Sequence, residues 1–409
     1  MATAGGHLDF PEARIRARRI VAALAISQTV GYGTLYYAFA VFLAPLAADL
    51  HASTTAVTGT FTASVLTSAA LAVPVGRRLD RHGGRVLMTL GSLAGALLLV
   101  AWSQIDSLWQ LYAVQIGIGA ASAASLYEAA FAVLIAWHSP DRRSGALLAL
   151  TVVAGFASTI FLPLTGWLVE HHGWRTALLF LAAIQALLTV PLHALAVRAA
   201  PARPTRAGPA PIPVNAVLND RVFWLLAIGF TANTSAISVL TVHLVAALTS
   251  WGHTATFAAT TAGLFGLLSV TGRLAVTGLQ RRYRTTTVVA AVFTVQAIAV
   301  ASLPLLGVSA AAAIIGVVGF GLGFGVAAIA KPVLLADRYD TRRYATIAGI
   351  LVIPMTIAKA AAPLGAAALH ARSGGYASVF AATAFICAVA AAAVATAGLR
   401  RFRSREYVR

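Results

Sequence analysis

Four charged residues stand where charge is expensive. Glu128, Arg273, Lys331 and Lys359 each lie inside a long apolar run, and the two lysines are the only ones in the chain. A charge at the centre of a membrane-spanning helix costs about 2.5–3.5 kcal/mol on insertion scales, so such a residue faces a cavity or a partner. Arginine offers a planar fork suited to a carboxylate, and lysine a movable point charge. Arg273 and Lys359 sit on different runs of the second half, with the lone acid Glu128 in the first half, and this set could place an anion between the halves. With Glu128 ionised the three sum to +1, which one monoanion neutralises; with it protonated they sum to +2, which suits a dianion. Glu128 is thus a candidate proton-coupling group, because burial favours its neutral form and a nearby cation its charged form. The competing readings are a fixed salt bridge for Glu128 and a structural role for Arg273. Lys331 precedes Pro332 toward the end of its run, where a long stem can snorkel, and it reads as structural.

Aromatic residues extend the candidate binding set. Tyr32 and Tyr36 are four apart and share one helical face, Gly31 and Gly33 loosen that helix, and Tyr127 adjoins Glu128. The three tyrosines are candidates to line a substrate cavity, with ordinary helix packing as the alternative. His243, toward the outer end of its run, reads as a gate or interface residue rather than a proton relay.

The elements that position these residues must lie in a bilayer. Over 409 residues, 59% are hydrophobic and 10% charged, and the mean hydropathy is +0.83, more apolar surface than a soluble globule can bury. Runs of about 20 residues, the length that crosses a hydrocarbon layer of roughly 30 Å, recur twelve times. They cover 20–47, 55–75, 86–102, 108–136, 145–168, 175–197, 222–248, 255–279, 286–305, 309–335, 344–369 and 376–398. Without the period-2 alternation of barrel strands, they are expected to be helices. The net charge of +18 is laid out by side: 25 of the 30 basic residues fall on one side, and only Arg175 and Arg372 on the other. This positive-inside bias predicts a multi-pass protein of the cell membrane with both termini in the cytoplasm. The same scatter argues against nucleic acid, which needs a gathered patch.

Other classes are weakened by what the sequence lacks. The first run is far longer than a signal-peptide core and is expected to stay as an anchor. Cys387 is the single cysteine and has no internal partner for a disulfide. No G-x-x-x-x-G-K-[ST] phosphate loop is present, so no nucleotide cofactor is expected and uphill transport would draw on a gradient. Metal-ligand spacing is absent from the apolar runs, and the adjacent His171 and His172 do not share a helical face, so neither a metal site nor a membrane enzyme is favoured. A membrane sensor that binds without transporting remains a third class.

The chain also repeats itself. Residues 198–221 carry Pro201, Pro204, Pro209, Pro211 and Pro213 and read as an extended cytoplasmic linker. It separates an N-terminal six-helix bundle, 20–197, from a C-terminal one, 222–398, with a polar segment 1–19 before them and a basic tail 399–409 after. A shift of 200 residues lays Arg142-Arg143 on Arg342-Arg343, Pro163-Leu164 on Pro363-Leu364, and Arg81 on Arg281. Transporter folds built from such repeats bind substrate near the midplane between the repeats. The charges of interest break the symmetry: Glu128 falls on Ala328, Arg273 on Val73, and Lys359 on Thr159.

The segment Gly76-Arg77-Arg78-Leu79-Asp80-Arg81-His82-Gly83-Gly84-Arg85 resembles the G-x-x-x-D-R-x-G-R-R signature of the major facilitator superfamily, and Gly173-Trp174-Arg175 is similar to another of its short motifs. The resemblance implies a monomeric carrier of twelve transmembrane helices in two pseudo-symmetric bundles. It implies that Asp80 meets a helix dipole, and that Gly76, Asp80, Arg81, Gly83 and Arg85 form a conformational latch on the cytoplasmic side. Two features depart from the pattern. The second-half counterpart, Gly278 to Arg282, lacks the acid, and Tyr112-Ala113-Val114-Gln115 stands where many drug/proton antiporters carry an arginine. Within the superfamily, Gly31-Tyr32-Gly33-Thr34-Leu35-Tyr36-Tyr37, an arginine in the eighth span and a lysine in the eleventh resemble the oxalate/formate antiporter and monocarboxylate porter branches. That likeness implies that Arg273 and Lys359 hold a substrate carboxylate. The expectation is a secondary transporter of a small organic anion, by proton symport or anion exchange; the alternative is proton-coupled efflux of an amphiphilic drug or metabolite.

Overall fold

A computed structural model describes residues 11–198, 212–339 and 341–406. The first ten residues and four of the five linker prolines, Pro201, Pro204, Pro209 and Pro211, lie outside the described residues, as does the end of the basic tail. Among the described residues every regular element is a helix. The chain runs α1 Pro11–Tyr32, a π turn at Gly33–Tyr37, α2 Phe39–Asp49, α3 Thr54–His82, α4 Arg85–Trp102, α5 Leu108–Ser125, α6 Tyr127–Trp137, α7 Pro140–Ala154 and α8 Ala157–Ile184. After a second π turn at Gln185–Thr189 follow α9 Val190–Ala196, α10 Val214–Leu218, α11 Arg221–Ser250, α12 Ala255–Leu279, α13 Thr285–Leu306 and α14 Ala310–Gly321. The last three long helices are α15 Val326–Arg338, α16 Tyr344–Ser373 and α17 Tyr376–Glu406.

Among the described residues, ten helical stretches are long and apolar enough to cross a membrane. One of them, Pro140–Ala196, is 57 residues long and holds two crossings, because Gly173 at φ 74° breaks it. The first expected run, 20–47, corresponds to α1 and α2 with the π turn between them.

Among the runs that differ in detail from the expected ones, three bear on the candidate site. The second does not stop at residue 75: α3 continues through the basic segment to His82, with Arg77, Arg78 and Arg81 exposed, and ends at Gly83, φ 72°. Glycine accepts that backbone without strain. The fourth and tenth runs are each broken rather than continuous. The fourth breaks at Leu126, whose ψ of −158° is non-helical, and the tenth breaks between Gly321 and Val326. Under the 200-residue shift Leu126 falls on Val326, so the two breaks occupy corresponding places in the two halves.

The chain divides into two compact units. One holds the chain as far as Pro211, inside the linker, together with Tyr339–Ile350; the other holds Ile212–Arg338 with the remainder of α16 and α17. The first unit packs α3 on α5, α4 on α5, α1 on α7, and α8 and α9 on α4, around a core that includes Phe42, Trp102, Leu111, Phe161 and Leu178. In the second, α17 lies against α11 and α13, and α14 against α12 and α13, around Leu240, Leu244, Val317, Phe320 and Phe380. Small residues permit these approaches: a Cβ on Gly119 would overlap the Ser64 carbonyl, and one on Gly272 the Leu322 carbonyl. Large apolar side chains such as Leu97, Leu187, Ile315 and Phe385 remain exposed, as a lipid-facing surface requires.

Candidate functional site

In the first unit the tyrosines gather around the start of α6. The rings of Tyr32 and Tyr127 have centroids 4.4 Å apart, Tyr36 meets Tyr32 edge-on at 5.9 Å, and Tyr127 stacks on Phe131 at 5.1 Å. Tyr37 and Phe61, which the spacing argument does not single out, continue the cluster through Tyr36 at 5.3 and 5.0 Å. The π turn at Gly33–Tyr37 adds Tyr37 to the face that Tyr32 and Tyr36 already share, with the Tyr37 ring centroid 6.4 Å from that of Tyr32. Gly33 permits it, since a Cβ there would strike the Phe161 ring. Glu128 is half-buried in the first turn of α6, within electrostatic reach of Tyr32 and of the buried Tyr344.

Buried polar contacts hold this arrangement. At the α5–α6 break the Ser125 carbonyl accepts a hydrogen bond from Gln28 Nε2 at 2.8 Å. Thr34 Oγ1, inside the π turn, donates to Gln185 Oε1 at 3.0 Å, so one π turn is tied to the other. His193 is wedged between Ser92 (2.7 Å to Nδ1) and Ser27 (2.9 Å to Nε2). None of these partners is foreshadowed by the sequence, because each pair is more than ninety residues apart.

In the second unit Arg273 lies on α12, half-buried, with Nη2 donating to Ser269 Oγ at 3.0 Å. Its Nε stands beside Gly325 in the α14–α15 break, where any side chain would collide with it. The break is itself stabilised: Gln296 Nε2 donates to the Phe320 carbonyl at 2.9 Å, and Asn233 Nδ2 to Gln296 Oε1 at 2.8 Å. Lys359 stands exposed on α16, between Pro354 and Pro363. Lys331 is buried, at 5% exposure, rather than extended to an exposed position as snorkelling would require, because α15 buries nearly its whole length from Ile329 to Ala336. His243 is also buried and bonds through Nε2 to the Pro363 carbonyl at 3.0 Å.

The signature segment meets the start of α16. Asp80 accepts hydrogen bonds from the Ala345 N–H (3.0 Å), the Thr346 N–H (2.8 Å) and the Thr346 hydroxyl (2.6 Å). These amides are among the four at a helix N-terminus that have no intrahelical partner, and the helix dipole favours a carboxylate there. Gly76 makes the approach feasible, since a Cβ would run into the Ala345 carbonyl. Arg343 is within electrostatic reach of Asp80. Gly83 ends α3, Arg81 is exposed, and Arg85 turns to the Ala194 carbonyl at 2.7 Å, away from the Asp80 cap. At Trp174-Arg175 the guanidinium lies over the indole, donates to Asp49 at 2.7 Å and the Ile105 carbonyl at 3.0 Å, and reaches Asp106 at 3.4 Å, tying the ends of three helical runs.

Comparison with known proteins agrees with this architecture. Residues 24–353 match the sequence model of the Major Facilitator Superfamily. The monocarboxylate transporter 13 of Bos taurus is 30% identical over 204 residues, 49% of this chain and 47% of that protein. An MFS-type efflux pump of Mycolicibacterium smegmatis is 30% identical over 176 residues, 42% of this chain and 40% of the pump. The uncharacterized transporter YybO of Bacillus subtilis is 35% identical over 122 residues, 29% and 27% of the two chains. This chain thus spans less than half the length of these relatives. Among solved structures, a human organic anion transporter superposes with a TM-score of 0.70 at 15% identity over 92% of this chain and 99% of that one. The fucose:proton symporter of E. coli gives 0.69 at 13% identity, over 95% and 98%. With the family pattern matched across most of its length and the same fold in both solved transporters, the chain belongs to the Major Facilitator Superfamily.

Proposed function

We propose that this protein is a secondary transporter, multi-pass in the cell membrane, that moves a small mono- or dicarboxylate by alternating access, as proton symport or anion exchange. The observation that carries the reading is the pair of cations on apolar helices of the second unit, Arg273 beside the α14–α15 break and Lys359 exposed on α16. Discontinuous helices at corresponding places in two repeats mark the binding region of secondary transporters, and Glu128 and Arg273 each adjoin such a break. Arg273 supplies the forked donor and Lys359 the point charge for the carboxylate. Tyr32, Tyr36 and Tyr127 line the substrate path, and Glu128 carries the coupling proton. Asp80, with Gly76 giving it access, acts as a latch on α16 in the gating cycle, with Arg81, Gly83 and Arg85 shaping its surroundings. The resemblance to monocarboxylate porters supports the substrate class. The carrier works as a monomer, with both termini and the 198–221 linker in the cytoplasm.

A second reading, proton-coupled efflux of an amphiphilic compound, draws on the efflux-pump relative and on the aromatic cluster around Tyr32. Ligand-induced thermal stabilisation of the purified protein separates the two, because a ligand that binds the native state raises its apparent stability. A panel of mono- and dicarboxylates is expected to raise the melting temperature, and the shift to vanish in Arg273→Ala and Lys359→Ala while both variants stay folded. A shift produced only by lipophilic cations would replace the carboxylate reading with the efflux one.

A further inference from the structure

Lys359 sits four residues before Pro363 on α16, and that spacing has a consequence for its own backbone. Proline has no N–H, so the Lys359 carbonyl loses the intrahelical partner it would otherwise have. In a bilayer, a carbonyl left without a donor is costly, and broken helical bonds are re-satisfied by neighbouring helices and side chains. Here α11 does this: Ser238 Oγ donates to the Lys359 carbonyl at 2.6 Å. Five residues along the same helix, His243 bonds through Nε2 to the carbonyl of Pro363 at 3.0 Å. A carbonyl only accepts, so Nε2 carries the hydrogen. Two side chains of α11 therefore grip the two ends of the single helical turn that starts with Lys359 and ends with Pro363.

The geometry points to Ser238 and His243 as positioning residues that fix where Lys359 presents its ammonium group to the substrate. The residue-to-substrate part of this statement rests on the carboxylate reading above; the positional part does not. His243 thereby has a defined task that involves no proton transfer. Loss of either bond releases the proline-weakened turn and lets the lysine wander from its working orientation, although neither Ser238 nor His243 touches the substrate.

Two arms test this. The first needs no substrate. Lys359→Cys and a control, Ile357→Cys, which is also exposed on α16, are each made with and without Ser238→Ala and reacted with a small charged thiol reagent. The native Cys387 is 1% exposed and does not compete. The rate at position 359 is expected to change by about three- to tenfold, the range a single lost hydrogen bond gives, with the control unchanged and Ser238→Thr restoring the original rate. The second arm measures carboxylate transport: Ser238→Ala is expected to raise the half-saturation concentration by about three- to tenfold. His243→Ala should do the same, and His243→Gln, which keeps an N–H donor, should recover much of the loss. Equal reactivity of position 359 in both backgrounds, or a half-saturation concentration unchanged by both Ser238→Ala and His243→Ala, would overturn the positioning role. Changed reactivity in a chain that ignores every carboxylate would leave the positioning role standing and remove the proposed substrate instead.

Discussion

Single side chains in this protein do two different kinds of work, and pH separates them. His138, between α6 and α7, is 9% exposed, bonds through Nδ1 to the Leu134 carbonyl at 2.9 Å, and accepts Arg143 Nε on its own carbonyl at 3.2 Å. Burial, and then the charges of Arg142 and Arg143, hold its imidazole below the usual histidine range. The folded state therefore binds fewer protons here than the unfolded chain. The stability that comes from keeping His138 neutral is complete above about pH 6.5 and is lost as pH falls below it. The melting temperature of the wild type should drop more steeply between pH 7.5 and 5 than that of His138→Gln; parallel curves would contradict this. Asp80 differs in being charged and serving as a cap. Asp80→Ala leaves two amides and a hydroxyl of α16 without their acceptor, and should cost about 1–3 kcal/mol of stability, read as a lower melting temperature, with Asp80→Asn in between.

At the scale of helices, approach distance and discontinuity decide what the residues can reach. Gly272 lets α12 come onto the backbone of the α14–α15 break, whereas a Cβ at Gly278 on the same helix would have no neighbour within 4 Å. Gly272→Val should therefore destabilise the protein by about 1–3 kcal/mol through overpacking, while Gly278→Val should sit close to wild type in thermal unfolding. Much of the scaffold was legible from the apolar runs and the 200-residue repeat, since length and hydropathy are linear properties of the chain. The tenth run carries glycines at its break, where a Cβ on Gly323 would collide with Gln296 and one on Gly325 with Arg273. The break at Leu126 left no such trace, for no proline or glycine marks it. It depends on Gln28, almost a hundred residues away, taking up the Ser125 carbonyl. The widening at Gly33–Tyr37 was half visible in its flanking glycines, but its tie to Gln185 was not. The continuation of α3 to His82 was hidden because exposed arginines look the same on a helix end as in a loop.

Across the whole molecule, the positive-inside pattern and the choice of substrate carry separate predictions. Because the native Cys387 is buried, a cysteine placed in the 198–221 linker should react with an impermeant thiol reagent in inside-out vesicles and stay protected in sealed right-side-out ones; the opposite result would invert the proposed topology. The most direct test of the central claim is counterflow in proteoliposomes loaded with an unlabelled carboxylate and given the labelled compound outside. The wild type is expected to accumulate label transiently for at least one mono- or dicarboxylate, and Lys359→Ala to lose this accumulation. No accumulation with any carboxylate, in vesicles that do move a lipophilic cation, would contradict it.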